Sequence, residues 1–155
     1  MMKQRSVTHA NFSISRHFKQ SPSRVFAAFA TEKGKQAWFH GPEDWARDVH
    51  KMDFRVGGIE TSVGGPPGGW VSSFRCIYQD IVPDERIVYS YDMDLNGDRI
   101  SVSLATIEFK PEGAGGTHLV FTEQGAYLDG WDKPGDREHG TRELMDNLQR
   151  YLDSN

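Results

Sequence analysis

Two charged residues fall on faces of predicted strands that are otherwise apolar. Alternation over residues 11–18 puts Arg16 among the apolar positions, and alternation over residues 117–124 does the same for Glu123. An unpaired charge buried on such a face would cost several kcal/mol, so each residue should have a partner. That partner could be another side chain, as in a structural ion pair, or the polar end of a ligand in an apolar pocket.

Aromatic side chains could form the wall of such a pocket. The chain has four Trp, five Tyr and nine Phe, a heavy load for 155 residues. Core packing is the alternative role for each candidate. Tyr89 and Tyr91 are the better candidates for ligand contact, because a buried hydroxyl needs a hydrogen-bond partner. Beside Arg16 and Glu123, the candidate ligand-binding residues are Trp38, Phe39, Trp45, Phe54, Trp70, Phe74, Tyr89, Tyr91, Phe121, Thr141 and Met145.

Metal sites find little support in the sequence. Residues 92–97 match the first half of an EF-hand calcium loop, but the closing carboxylate position falls on Ser103 and the flanking segments are predicted strands. We interpret this segment as a hairpin tip. The six histidines lack the paired spacing of a zinc site. The sequence predicts neither a metal nor another cofactor.

Nucleophilic and phosphate-binding chemistry also lack their motifs. No G-x-S-x-G elbow occurs, and Cys76 lies in a strand pattern without a local partner, as expected of a half-buried thiol. The Gly/Pro segment 64–69 has no P-loop lysine and opens no helix. It is predicted to be an exposed connection, either a flexible rim over a cavity mouth or a plain hairpin loop.

Composition restricts the class of protein. A length of 155 residues predicts one domain, 1–155, in which residues 1–8 are a frayed end. The net charge of -4, without a local Lys/Arg cluster, argues against nucleic-acid binding. No apolar run approaches the roughly 18 residues of a membrane span. A single cysteine excludes an internal disulfide and suits a cytoplasmic location.

A long amphipathic helix is predicted at the end of the chain, over residues 136–152, with Asp136 as its N-cap. Its apolar stripe must lie on another element, and most of the upstream chain is predicted strand. Short turns exclude parallel crossovers, which need about a dozen residues, so the fold class is α+β. Asn96-Gly97 marks the strongest hairpin turn. The other predicted elements are a strand at 11–18, a helix from Ser21-Pro22, a short helix at 35–39, and strands near 48–54, 70–80, 87–93, 99–109 and 117–124.

Five short motifs in order resemble one family, and the resemblance runs from about Phe12 to the end of the chain. The motifs are Ser21 to Phe29, Trp38, Phe54 to Gly58, Val82 to Tyr89, and Gly115 to Leu119. Together they resemble the Hsp90-ATPase-activator-like branch of the START/Bet v 1-like SRPBCC superfamily. The resemblance implies a helix-grip fold, in which a seven-stranded curved antiparallel sheet wraps around the long C-terminal helix, with two short helices after the first strand.

The resemblance carries implications for the site as well. The first and last strands are neighbours in a helix-grip fold, so Arg16 and Glu123 could face each other. The family often begins its last helix with Gly-Trp, whereas here Gly140 precedes Thr141, which removes a bulky wall from the cavity. The superfamily shares no catalytic set that could be transferred. The chain is also expected to be too short for the separate module that the eukaryotic co-chaperone uses on Hsp90.

Three functions remain open at this stage. The leading hypothesis is non-catalytic binding of a small hydrophobic or amphipathic molecule, either a lipid or an aromatic, polyketide-like compound. The second is a cyclase or aromatase in which Glu123 or a tyrosine moves protons in the same cavity. The third is a chaperone-associated interaction module, whose expected sign is an exposed apolar patch. An edge strand or an apolar rim could also support a homodimer.

Overall fold

The structure is a computed structural model that describes residues 4–42 and 45–155, with the backbone alone for residues 46–48. Seven strands form one antiparallel sheet in the order β1-β7-β6-β5-β4-β3-β2. This arrangement confirms the predicted α+β helix-grip fold. In chain order the elements are β1 (Val7–Phe18), α1 (Pro22–Ala30), α2 (Glu32–Trp38), β2 (Ala46–Met52), β3 (Ile59–Gly65), β4 (Ser72–Val82), β5 (Arg86–Leu95), β6 (Asp98–Glu112), β7 (Gly116–Leu128) and α3 (Pro134–Asp153).

The sheet curves around α3. Register shifts interrupt the β4–β5 ladder between Tyr78 and Asp80 and the β5–β6 ladder between Met93 and Asp94. Such bulges bend strands and let a wide sheet curl. The side of α3 that faces the sheet carries Met145, Leu148 and Leu152, all at most 1% exposed. The predicted stripe of the terminal helix therefore forms one side of the core.

Helices α1 and α2 carry the chain between the two edges of the sheet, since β1 and β2 are its outermost strands. Ser21 caps α1 by accepting a hydrogen bond from the backbone N–H of Arg24 at 3.2 Å, and Pro22 stands at the first helical position, as predicted. Phe29 packs edge-on against both Trp38 and Phe109, with ring centroids 4.8 and 5.4 Å apart. These contacts fasten both helices over one end of the sheet.

Some predicted helix boundaries are corrected. Helix α2 begins at Glu32, capped by Thr31, so Gly34 lies within the helix. Helix α3 begins at Pro134, which puts Asp136 in the first turn and makes its predicted capping role wrong. A carboxylate in the first turn still stabilises α3, because it lies at the positive end of the helix dipole. Within the described residues, no helix is both long and apolar enough to cross a bilayer.

Several strands extend beyond their predicted ends. Strand β1 starts at Val7, which pairs with Leu128, so the expected fraying is wrong for Val7 and Thr8; residues 1–3 lie outside the described part. Gly64 is not in an exposed loop but pairs within β3. Asn96 and Gly97 have φ values of 50° and 87°, which confirms the predicted hairpin turn.

Candidate functional site

A cavity of about 1130 Å³ lies between the concave face of the sheet and α3. Strands β3, β4, β5 and β7 line it on one side, and α3, the end of α2 and the segment after α2 line it on the other. Its rim includes the exposed residues Pro42, Glu143 and Arg150, so the cavity opens to solvent along α3. The space expected between sheet and helix is therefore present.

Most of the candidate ligand-binding residues meet at this cavity. Inward-facing positions of β4, β5 and β7 contribute aromatic side chains, because alternate residues of a strand point to the same face. The buried side of α3 contributes Thr141 and Met145. The candidates that line the cavity are Trp38, Phe39, Trp45, Phe74, Tyr89, Tyr91, Phe121, Glu123, Thr141 and Met145.

Arg16 does not pair with Glu123, and that prediction is wrong. The antiparallel register places Phe12 opposite Glu123 and Leu119 opposite Arg16. Arg16 does point from β1 toward α3, where its Nη1 donates to Oδ1 of Asp146 at 2.6 Å. Its side chain is 23% exposed and is absent from the cavity lining. The outer end of the sheet thus holds a partly exposed ion pair, which adds little to stability.

Phe54 and Trp70 also lie outside the cavity lining. Phe54 is partly buried and packs edge-on against the core residues Phe26 and Tyr78, with ring centroids 5.8 and 4.9 Å away. Trp70 is 47% exposed and contacts Trp45 at a centroid distance of 5.9 Å. Trp70 follows the Gly/Pro turn and precedes β4, which begins only at Ser72. The inward alternation of β4 therefore does not extend to Trp70.

Glu123 forms the polar end of the cavity together with Tyr91 and Arg137. Its carboxylate is 2% exposed, and Oε1 accepts a hydrogen bond of 2.8 Å from the Tyr91 hydroxyl. The same hydroxyl accepts a 3.0 Å hydrogen bond from Nη1 of Arg137. Glu123 Oε2 lies 3.9 Å from that Nη1 and has no hydrogen-bond partner in the described part of the chain. Glu123 lines the cavity, and one buried oxygen of its carboxylate is thus left without a donor.

Burial sets the protonation of this cluster. Loss of solvation raises the pKa of Glu123 from 4.5 to about 7, even though Arg137 and the Tyr91 hydroxyl oppose that change. Burial and the nearby Glu123 raise the pKa of Tyr91, so its hydroxyl keeps its proton. Burial alone would lower the pKa of Arg137, but the negative groups around it raise the pKa instead. Glu123 is therefore the member of the cluster that titrates near neutral pH.

Sequence reasoning missed Arg137, although a signal was present. Thr141, Met145 and Leu148 mark the buried face of α3, and stepping back one turn from Thr141 reaches Arg137. Its side chain is 12% exposed and its Nη2 donates to Oγ of Ser101 at 2.8 Å and to Asp132 at 2.9 Å. An arginine on the extended apolar stripe could have been recognised as the partner for Glu123.

A second buried charge cluster lies beside the cavity. Glu60, on β3, is fully buried, and its Oε1 accepts hydrogen bonds from Nζ of Lys35 at 3.0 Å and from the Tyr78 hydroxyl at 2.5 Å. Its Oε2 is 2.8 Å from Nε2 of His50. Burial alone would raise the pKa of Glu60, but Lys35 and these hydrogen bonds lower it to about 2. The pattern of β3 showed no signal for this buried carboxylate.

The remaining candidate groups have ordinary structural surroundings. Burial is the largest cause that raises the pKa of Cys76 to about 12, so its thiol stays protonated. Asp94, at the predicted hairpin tip, accepts from Nε of Arg99 at 2.6 Å. His17 and His118 stack on the outer face at a centroid distance of 4.6 Å. Among the described side chains, no group of three or more His, Cys, Asp or Glu is placed to hold a metal ion.

Comparisons with known proteins fit this architecture. Residues 19–153 match the model of the family described as activator of Hsp90 ATPase homolog 1-like protein. The chain belongs to this family. The match spans most of the chain and confirms the resemblance that the sequence motifs indicated. A comparison with curated protein sequences gives no match.

Solved structures of other proteins share this architecture. A protein from Rhizobium leguminosarum is 39% identical, with 98% of this chain and 99% of that chain covered and a TM-score of 0.92. A protein from Rhizobium loti is 43% identical over 94% of this chain and 99% of that chain, with a TM-score of 0.87. An AHSA1-like protein from Aeromonas hydrophila, 20% identical over 94% and 93% of the two chains, shares the fold at a TM-score of 0.69.

Thr141 forms part of the cavity wall on α3. It follows Gly140 in α3, is 6% exposed and lines the cavity. Its hydroxyl donates to the backbone carbonyl of Arg137 at 3.0 Å, so the short side chain is bound to its own helix. A larger residue at this position would extend into the cavity and reduce its volume.

Proposed function

We propose that this protein binds a small hydrophobic or amphipathic molecule in the cavity between the sheet and α3, without catalysing a reaction on it. The observation that carries the proposal is the cavity itself, which aromatic side chains line and whose wall includes the buried polar cluster at Glu123. Its volume of about 1130 Å³ slightly exceeds the usual range for ligand pockets, roughly 300–1,000 Å³.

Membership in the family is consistent with ligand binding and with co-chaperone-like roles. The cavity of this chain favours the first, because a folded protein would otherwise fill such a space with side chains at near-crystalline density. An apolar guest would gain about 25 cal/mol for each Å² that it buries. Phe74, Tyr89 and Phe121 are among the aromatic side chains that line the cavity.

A side chain that fills part of the cavity should reduce the affinity for an apolar guest. We expect Thr141→Trp to lower the affinity for the neutral probe N-phenyl-1-naphthylamine by about tenfold or more, since excluding about 60 Å² of apolar contact costs roughly 1.4 kcal/mol. Probe fluorescence measures the affinity. His139→Trp is the matched control, because it adds the same side chain to an exposed position of the same helix. Equal probe affinity in all three proteins would contradict the proposal.

Proton transfer in the same cavity is the second candidate function. Glu123 favours it, because a carboxyl with a pKa of about 7 in an apolar site has the properties of a general base. The carbon acid 5-nitrobenzisoxazole reports such a base when its ring opens. We expect wild-type protein and Glu123→Gln to open the ring at the same rate, as a non-catalytic binder would. Faster turnover that depends on Glu123 would favour the enzyme instead.

A further inference from the structure

The open oxygen of Glu123 indicates what kind of polar group the cavity accepts. Oε1 is satisfied by Tyr91, whereas Oε2 is buried and without a hydrogen-bond partner in the described part of the chain. Buried polar atoms in folded proteins nearly always have a partner, so an orphan in a cavity wall calls for an explanation. A hydrogen-bond donor on a bound molecule would supply the missing partner of Glu123 Oε2.

Three of the five N–H groups of Arg137 are already engaged, so little of its capacity remains for an anionic group. Its Nη1 donates to Tyr91, and its Nη2 donates to Ser101 and to Asp132. Asp132 and Glu123 balance its charge at 2.9 and 3.9 Å. An incoming carboxylate would therefore meet two carboxyl groups and an arginine that is already engaged, and the like charges would repel it.

A cationic group on the bound molecule is also disfavoured. A donor that bonds to Glu123 Oε2 enters a cluster whose guanidinium Nη1 is 3.9 Å from that oxygen. An ammonium there would lose its hydration in a buried site, which is costly unless its charge is fully paired, and Arg137 already pairs with the carboxylates that could do so. An uncharged donor satisfies the open oxygen without bringing a further charge into the buried site.

We propose that the cavity selects a molecule with an apolar body and one neutral hydroxyl group, phenolic or aliphatic, which donates its hydrogen bond to Glu123. This inference rests on the proposed function and deepens it. Tyr91 and Arg137 act as positioning residues in this arrangement, because they hold the carboxylate of Glu123 at the wall. The apolar body would lie against Phe74, Phe121 and Met145.

Four probes that share one ring system test the choice: 2-naphthol, 2-methoxynaphthalene, 2-naphthoate and 2-naphthylmethylammonium. Isothermal titration calorimetry at about pH 8.5, where Glu123 is ionised, should show 2-naphthol binding about 10- to 100-fold more tightly than its methyl ether, the effect of one hydrogen bond to a charged acceptor. The carboxylate and the ammonium probes should bind more weakly than 2-naphthol. Glu123→Gln should reduce the ratio of naphthol to ether affinity to about one, since its amide N–H can donate to the ether oxygen.

Glu138→Gln is the matched control, because Glu138 pairs with Arg142 on the outer side of α3 and should leave the ratio unchanged. Equal affinity of wild-type protein for 2-naphthol and its ether, or tighter binding of either charged probe, would overturn this inference and leave the proposed function standing. Absence of binding by all four naphthalene probes and by N-phenyl-1-naphthylamine would overturn both.

Discussion

Replacing Lys35 with methionine should lower the free energy of unfolding by about 3–5 kcal/mol, because it leaves Glu60 buried without its cation. Glu60 is fully buried and Lys35 is 3% exposed, and their charged atoms are 3.0 Å apart. Methionine replaces the apolar stem of Lys35 but loses both the ion pair and the cation–π contact of its Nζ with the ring of Phe39, whose centroid is 4.5 Å away. Urea unfolding at neutral pH measures the loss.

Lys33→Met is the control for this prediction, since Lys33 is an exposed residue of the same helix. The pKa of Glu60 is lowered from 4.5 to about 2, so its contribution to stability is present above pH 4.5 and is lost as the pH falls toward 2. The difference between wild-type protein and Lys35→Met should therefore shrink in acid. An equal loss in both variants, or a difference that does not vary with pH, would show that the ion pair is not its source.

Glu123 should give the stability of the protein the opposite pH dependence. Its pKa rises from 4.5 to about 7 on folding, so the folded state retains a proton that the unfolded state has already lost. The favourable contribution of Glu123 is complete below pH 4.5 and is lost as the pH rises through 7. The loss should be on the order of 3 kcal/mol across this window, the free energy that corresponds to such a change in pKa.

Comparison with Glu123→Gln isolates this effect, because glutamine does not titrate and the other groups contribute equally to both proteins. Plotted against pH, the free energy of unfolding of wild-type protein minus that of the variant should fall between pH 4.5 and 7. Chemical denaturation at several pH values gives both curves. Parallel curves would mean that Glu123 titrates in its ordinary range, and burial would then not control its charge.

Local patterns were sufficient to predict most of the fold. Asn96-Gly97, Ser21-Pro22 and the apolar stripe of α3 depend on neighbours in sequence, and each produced the expected turn, cap or helix face. Boundaries that tertiary pairing decides were missed. Gly64 and Val7, for example, are in strands because a partner strand accepts their backbone groups.

The site was predictable only in part, because its geometry depends on register and on pairs of residues distant in sequence. Alternation found Glu123, but the sequence could not show that Phe12, rather than Arg16, lies opposite it. Glu60 appears in a polar stretch that resembles a solvated strand, and only the approach of α2 makes it a buried carboxylate. Such contacts between separate elements exceed what residue periodicity can reveal.

The position of β1 at the edge of the sheet has a consequence for synthesis on the ribosome. Of the seven strands β1 is translated first, yet its only neighbour among the described strands is β7, the last of them. The backbone donors and acceptors of β1 stay unpaired while β2 to β6 are translated, and pairings so distant in sequence form slowly. The nascent chain therefore carries an unpaired strand until β7 has been translated, and the cavity can enclose a guest only after that.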